Sequence, residues 1–208
     1  MSQPIVGIVL AAGSSRRFGS DKLLHPLPDA VPMAVAAVRN LRPACDRLIV
    51  VLRPGSEELA RWLATEDCET RVCQDASNGM GHSLAAGVSA SAEAAGWVVA
   101  LADMPFISPA SHQCIATALR DGGSLAATEF EGKRGHPVGF SRQWFDCLTM
   151  LTGDQGGKNI LESNGDVLRL VGVDDPGVLR DIDGVDDLMD DALPNASAIH
   201  NQQRTRDW

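Results

Sequence analysis

Residues 5–10, IVGIVL, form an unbroken apolar run that leads straight into a glycine-rich turn, AAGSSRRFGSDK. That junction constrains the fold more than any other stretch. The run reads as a buried strand. The turn carries Gly13 and Gly19, hydroxyls at Ser14 and Ser15, arginines at Arg16 and Arg17, and an ammonium at Lys22. In a turn of this composition backbone N–H groups approach an anion closely, because no side chain intervenes. Cationic side chains then neutralise what the amides cradle. The pattern predicts a polyphosphate site, against the plainer alternative of a surface loop with solvated arginines. It has neither the Gly-Lys-Ser/Thr of a Walker loop nor the GxGxxG of a dinucleotide fingerprint.

The remainder of the chain alternates in the same manner. Short apolar runs at 48–52, 70–73, 97–102, 124–128 and 168–173 read as strands. Between them, helical spacing covers 32–41, 56–64, 83–95, 108–120, 143–151 and 159–162. Ser56 and Ser108 stand at N-cap positions. Strand and helix in alternation argue for a Rossmann-like, doubly wound α/β fold, a mostly parallel sheet with helices on both faces. The 208 residues suffice for one such domain, expected over 1–192. The polar, patternless stretch 193–208 reads as a disordered tail.

Charge and cysteines narrow the function. A net charge of −9 disfavours generic binding to nucleic acid. An acidic chain that binds a nucleotide needs local cations and a divalent metal. The five cysteines, Cys45, Cys68, Cys73, Cys114 and Cys147, form no CxxC pair, and their odd number argues against a closed disulfide framework. Reduced thiols in a cytoplasmic protein are the expectation. No signal peptide is recognised, and no apolar run nears the roughly 20 residues of a membrane span.

Further candidate site residues follow predicted strands. Asp103, in Asp-Met-Pro, emerges at the carboxyl end of the strand 97–102, where ligands sit in open α/β sheets. It suits a hard cation such as Mg²⁺, which takes one or two carboxylates plus phosphate oxygens; the alternative is a cap for the next helix. Gly79-Met80-Gly81 is a flexible turn ahead of Ser83, which is expected to open a helix. His82 is either beside a ligand or an exposed cap residue. Gly153 to Lys158 is a second glycine-rich turn, either a phosphate site or a simple helix start. Asp181 and Asp183 flank Ile182, so on an extended segment both carboxylates face the same way while Ile182 faces the core. The acidic run 181–187 otherwise reads as a solvated face.

Leu10, Ala11, Ala12, Gly13, Ser15, Arg17, Gly19 and Lys22 fall in the order LAxG-x-S-x-R-x-G-x-x-K. This resembles the signature loop of the MobA-like nucleotidyltransferases, and LAAG resembles the branch that includes molybdenum cofactor cytidylyltransferase. GMxxSL at 79–84, Asp103-Met104-Pro105, GHPV at 135–138 and IDxxxDL at 182–188 match further family motifs in the same order. One departure is Asp29-Ala30-Val31, where the family commonly has a glycine before the proline that opens the first helix.

The resemblance implies a fold of the nucleotide-diphospho-sugar transferase type and a Mg²⁺-dependent transfer of CMP from CTP to the phosphate of molybdopterin, with release of diphosphate. The backbone of 11–15 would hold base and triphosphate, with Gly81, His82 and Ser83 near the base. Arg17 would grip the β- and γ-phosphates and Lys22 would neutralise the α-phosphate. Asp103 and Asp183 would hold the metal. His136 and Lys158 would lie at the acceptor, although His136 also suits a structural role bonded to backbone. A molybdenum hydroxylase or its chaperone would be the protein partner. The same chemistry with GTP, or with a sugar phosphate or phospholactate, stays open. So does a non-catalytic carrier of the cofactor. An oxidoreductase is disfavoured by the missing dinucleotide fingerprint.

Overall fold

The computed structural model describes residues 3–13, 21–184 and 187. Seven strands form one sheet in the order β3-β2-β1-β4-β6-β5-β7. Ile5–Ala11 (β1) lies centrally, parallel to Arg47–Leu52 (β2) on one side and to Gly96–Leu101 (β4) on the other. Glu69–Val72 (β3) extends this parallel set and is exposed along its length, which suits its edge position. Lys133–Ser141 (β6) runs antiparallel to β4 and to Leu125–Phe130 (β5). Leu168–Gly172 (β7) closes the far edge, parallel to β5.

The alternation of β1 explains why both faces are covered. Ile5, Val9 and Ala11 face one core cluster, and Val6 and Ile8 face another. The first core takes Met33–Leu41 (α1), Glu57–Leu63 (α2) and Pro109–Arg120 (α4). Met80–Ser89 (α3), Phe145–Thr149 (α5) and Lys158–Ser163 (α6) cover the other face. The doubly wound sheet expected from the sequence is therefore what forms. Among the described residues no helix is long and apolar enough to cross a membrane.

Local chemistry shifts several element ends. The helix expected from Ser83 starts at Met80, with Gly79 at its N-cap position, and stops at Ser89. Past that point Ser91 Oγ hydrogen-bonds the carbonyls of Gly87 and Val88, and the chain turns into β4. The helix expected over 143–151 is only α5, entered through a 3-10 turn at Arg142–Trp144. Ser56 precedes α2 without a side-chain capping bond, whereas the Ser108 hydroxyl does accept the Ser111 N–H of α4. The turn that lacks the family glycine puts Ala30 at φ 63°, a left-handed conformation that favours glycine. The stretch 193–208 lies outside the described residues.

Candidate active site

The carboxyl ends of β1 and β4 build the site. Ala102 N–H bonds the Leu10 carbonyl at 3.1 Å, which sets the segment bearing Asp103 beside the start of the glycine-rich turn. The chain returns at Lys22, where Asp21 accepts the Leu23 N–H and starts a 3-10 turn over Lys22–Leu24. Lys22 is buried, and its Nζ lies 2.9 Å from Asp103 Oδ2 and 3.7 Å from Asp183 Oδ1. Residues 81 positions apart along the chain thus meet in a hydrogen-bonded ion pair. Ile182 is fully buried with Leu27 and Met33, and its N–H bonds the Asp103 carbonyl at 2.9 Å. That bond, with Asp181 and Asp183 exposed on either side, realises the alternation read from the sequence and brings Asp183 to Lys22. Asp103 does not cap α4; Ser108 does.

Two hollows adjoin at Leu10, Met80 and Asp154. A cleft of about 800 Å³ is lined by Leu10, Ala12, Gly13, Arg53, Ser83 and Asp154, among others. A pocket of about 460 Å³ is walled by Leu10, Leu84, Val99, Leu101, Val138 and Phe140, with Arg134, His136 and Lys158 also on it. Burial pushes the His136 imidazole down from its ordinary value; the Asp103 carboxylate pulls the other way, and Arg134 adds to the fall. His136 is therefore neutral at pH 7. Lys158 is exposed and pairs with Glu162 at 3.7 Å on α6.

The remaining expected residues divide. Ser83 lines the cleft, but Gly81 does not. Its N–H bonds the Gly153 carbonyl at 2.8 Å, and a Cβ there would lie 2.7 Å from the Thr152 carbonyl oxygen. Gly79, at φ 124°, meets the same loop still more closely. These glycines let the 152–157 turn clasp the start of α3. His82 lies in a neighbouring depression with Cys73, Asp75 and Thr149. On a helix of 3.6 residues per turn it sits some 200° from Met80, so Met80, Ser83 and Leu84 share the inward side without it. Ser15 and Arg17 lie outside the described residues. Arg53, Gln74, Ser77 and Asp154 line the cleft and were not singled out from sequence. Arg53 follows β2 directly, so its place at a strand's carboxyl end was the available signal. It pairs with Asp21 at 3.2 Å and is the one cation on the cleft wall among the described residues.

Two carboxylates converging on one ammonium form the donor set that a hard divalent cation uses when phosphate oxygens complete its shell. Among the described residues no three His, Cys, Asp or Glu side chains gather to hold a metal by themselves. The residues fit a metal that arrives with a nucleotide.

A cleft lined by Ala12 and Gly13 after the central strand, and an acid–lysine cluster at the adjoining strand end, accord with the nucleotidyltransferase class that comparison with known proteins gives. The chain belongs to the MobA-like NTP transferase family, whose domain model matches residues 7–167. It is 34% identical over 193 residues to purine catabolism protein PucB of Bacillus subtilis, covering 86% of this chain and 91% of that one. It is 26% identical over 192 residues to nicotine blue oxidoreductase of Paenarthrobacter nicotinovorans, covering 88% and 94%. A probable molybdenum cofactor guanylyltransferase of Mycobacterium avium is 34% identical over 113 residues, about half of each chain. The crystal structure of Rv0371c from Mycobacterium tuberculosis superposes with a TM-score of 0.81 at 30% identity, over 91% of this chain and 97% of the other. The same mycobacterial protein in complex with manganese gives 0.76 at 29% identity, with the same coverage.

Proposed function

We propose that this chain transfers CMP from CTP to the terminal phosphate of a molybdopterin-type acceptor. The observation that carries the reading is the pair of adjoining hollows that share Leu10, Met80 and Asp154, with the Lys22–Asp103–Asp183 cluster near enough for the Asp103 charge to act on His136 of the smaller one. The wide cleft suits the nucleotide. The smaller pocket has mostly apolar walls, which favour a flat heterocycle over a hydroxyl-rich sugar phosphate. The LAAG loop supports the cytidylyl branch, and the name of the mycobacterial guanylyltransferase supports a molybdenum cofactor acceptor.

In this mechanism the backbone of 11–15 holds the nucleotide, with Ser83 and Arg53 on the cleft wall. Asp103 and Asp183 would hold Mg²⁺, whose charge neutralises triphosphate oxygens. Lys22 has three N–H donors, enough to serve a carboxylate and an α-phosphate oxygen together. Arg17 steadies the departing diphosphate. The acceptor phosphate is already an anionic nucleophile, so neutral His136 acts in positioning it, with Lys158 at the pocket's rim. Catalysis rests on orientation and electrostatics. The product would pass to a molybdenum hydroxylase or its chaperone.

The test is diphosphate release from CTP, Mg²⁺ and molybdopterin by the purified protein. Turnover with GTP instead keeps the chemistry and changes the base. Turnover with a sugar phosphate or phospholactate changes the acceptor. Absence of release, with the pterin cofactor still bound, points to the non-catalytic carrier. The name of the Paenarthrobacter relative keeps an oxidoreductase as a second reading; saturable quenching of NADPH fluorescence by the protein would favour it.

A further inference from the structure

We propose that Asp175 is a positioning residue that sets the spacing of the two metal-binding carboxylates, an inference that rests on the metal role given above to Asp103 and Asp183. Asp103 opens the loop that leads to α4, and Asp183 ends the segment that follows β7. Asp175 is the buried charge that joins these two pieces of chain. One carboxylate oxygen accepts the Ser108 N–H at 2.8 Å and the Ser111 hydroxyl at 2.6 Å, both at the start of α4. The other accepts the Gly177 N–H at 2.9 Å, inside the 3-10 turn Pro176–Leu179 that leads towards Asp183. Each oxygen is therefore spent on a different segment.

Neighbouring contacts show that the segments pack against one another. Val178 is buried with Met104 and Ile107. Gly177 packs so closely that a Cβ would lie 2.3 Å from the Phe106 carbonyl oxygen. The Arg180 guanidinium stands 4.7 Å from the Phe106 ring centroid, and the Ile182 N–H bonds the Asp103 carbonyl. The packing contacts would tolerate a small slide. The Ile182–Asp103 bond fixes one point of the junction, and the directional carboxylate clamp fixes a second, at the start of α4. Burial alone would raise the Asp175 carboxyl, but hydrogen bonds from Ser111, Ser108 and Gly177 outweigh it and hold the carboxyl below its usual range. From sequence, Asp174-Asp175-Pro176-Gly177 reads as a turn after a strand; the partner serines lie more than 60 positions away, which hides the clamp.

The probe is Mn²⁺ titrated into protein with excess CTP, referenced to CTP without protein, its free concentration followed by electron paramagnetic resonance, on wild type, Asp175→Ala, Asp175→Asn and Asp103→Asn. Asp175→Ala is expected to raise the Mn²⁺ Kd about tenfold while metal-free CTP binding stays within twofold. Asn presents one oxygen instead of two, so it keeps either the serine bonds or the Gly177 bond, and Asp175→Asn is expected to fall between. A lowered melting temperature with an unchanged Mn²⁺ Kd would overturn the proposal, as would equal weakening of metal and CTP. If the alanine variant fails to fold, the asparagine variant decides on the same criteria. An unchanged Kd in Asp103→Asn would instead remove the metal site itself, and the clamp's role with it.

Discussion

The two halves of the sheet are built differently. In the parallel half, β3-β2-β1-β4, several site residues stand within a few positions of the strand that presents them: Ala12 and Gly13 after β1, Arg53 after β2, Asp103 after β4. The other half, β6-β5-β7, includes the antiparallel strand and delivers its residues over long distances. His136 comes from within β6, and Asp183 arrives only through the Ile182–Asp103 bond and the Asp175 clamp. The hollows differ too, a wide cleft with mixed polar and apolar walls against a smaller, mostly apolar pocket. A nucleotide site common to a family can be local, while the site that selects the acceptor is assembled by tertiary structure.

The largest effect is expected where the halves meet. Lys22→Ala or Asp103→Ala should cut diphosphate release at least about 100-fold with the melting profile retained, since each removes charge stabilisation from the transition state. Near-normal turnover in either variant would dissolve the shared centre. Asp183→Asn should raise the metal concentration for half-maximal rate about tenfold, a loss of roughly 1.4 kcal/mol, leaving the CTP KM within twofold. A metal dependence identical to wild type would confine Asp183 to structure. His136→Ala should raise the acceptor KM about tenfold with the CTP KM unchanged, on the scale of one lost hydrogen bond to a charged group. The reverse pattern would exchange the two hollows.

A smaller effect belongs to α4, which packs against both halves. His112 on α4 is fully buried, and its Nδ1 finds no hydrogen-bond partner among the described residues. Burial pushes its imidazole down to about 4, against the pull of Asp175. Below about pH 6.5 the unfolded chain takes a proton that the native state refuses until about pH 4. Stability therefore falls as pH drops through that window, by up to about 3 kcal/mol. Denaturant titrations of His112→Gln should show a flatter pH profile there; an unchanged profile would assign the loss to other groups. The smallest effect is Ala30→Gly, which should raise stability by about 0.5 kcal/mol by relieving the left-handed backbone, net of the unfolded chain's added freedom. A lower melting temperature would mean that the turn tolerates alanine without strain.

The sequence made the parallel half readable because its signals are local. A buried run ending in a glycine turn, and an aspartate at a strand end, sit within short windows. The pairing of Asp181 and Asp183 about a buried Ile182 was also legible, because period-two alternation dictates it. His82 reads from sequence as either beside a ligand or an exposed cap residue; it lines the neighbouring depression, because a motif gives adjacency along the chain whereas the helix turns alternate residues to different sides. Gly81 was taken for a ligand contact, and its constraint came from a loop 70 residues away. Asp154, on both hollows, was hidden inside a turn read for its glycines. Asp175 carried only the signal of a local turn, because Ser108 and Ser111 are its partners only in three dimensions.

The central claim is that nucleoside triphosphate and metal bind together at the junction of the halves. The direct measurement is the thermal midpoint of the purified protein with CTP, GTP, ATP and UTP, each with and without Mg²⁺. A ligand that binds only the native state at 100 times its Kd adds about 2.7 kcal/mol. For a chain of this length that corresponds to a rise of roughly 5–10 °C. The account predicts that rise for CTP with Mg²⁺, and a much smaller one for CTP or Mg²⁺ alone. A midpoint that none of the four nucleotides moves, with or without metal, would contradict it.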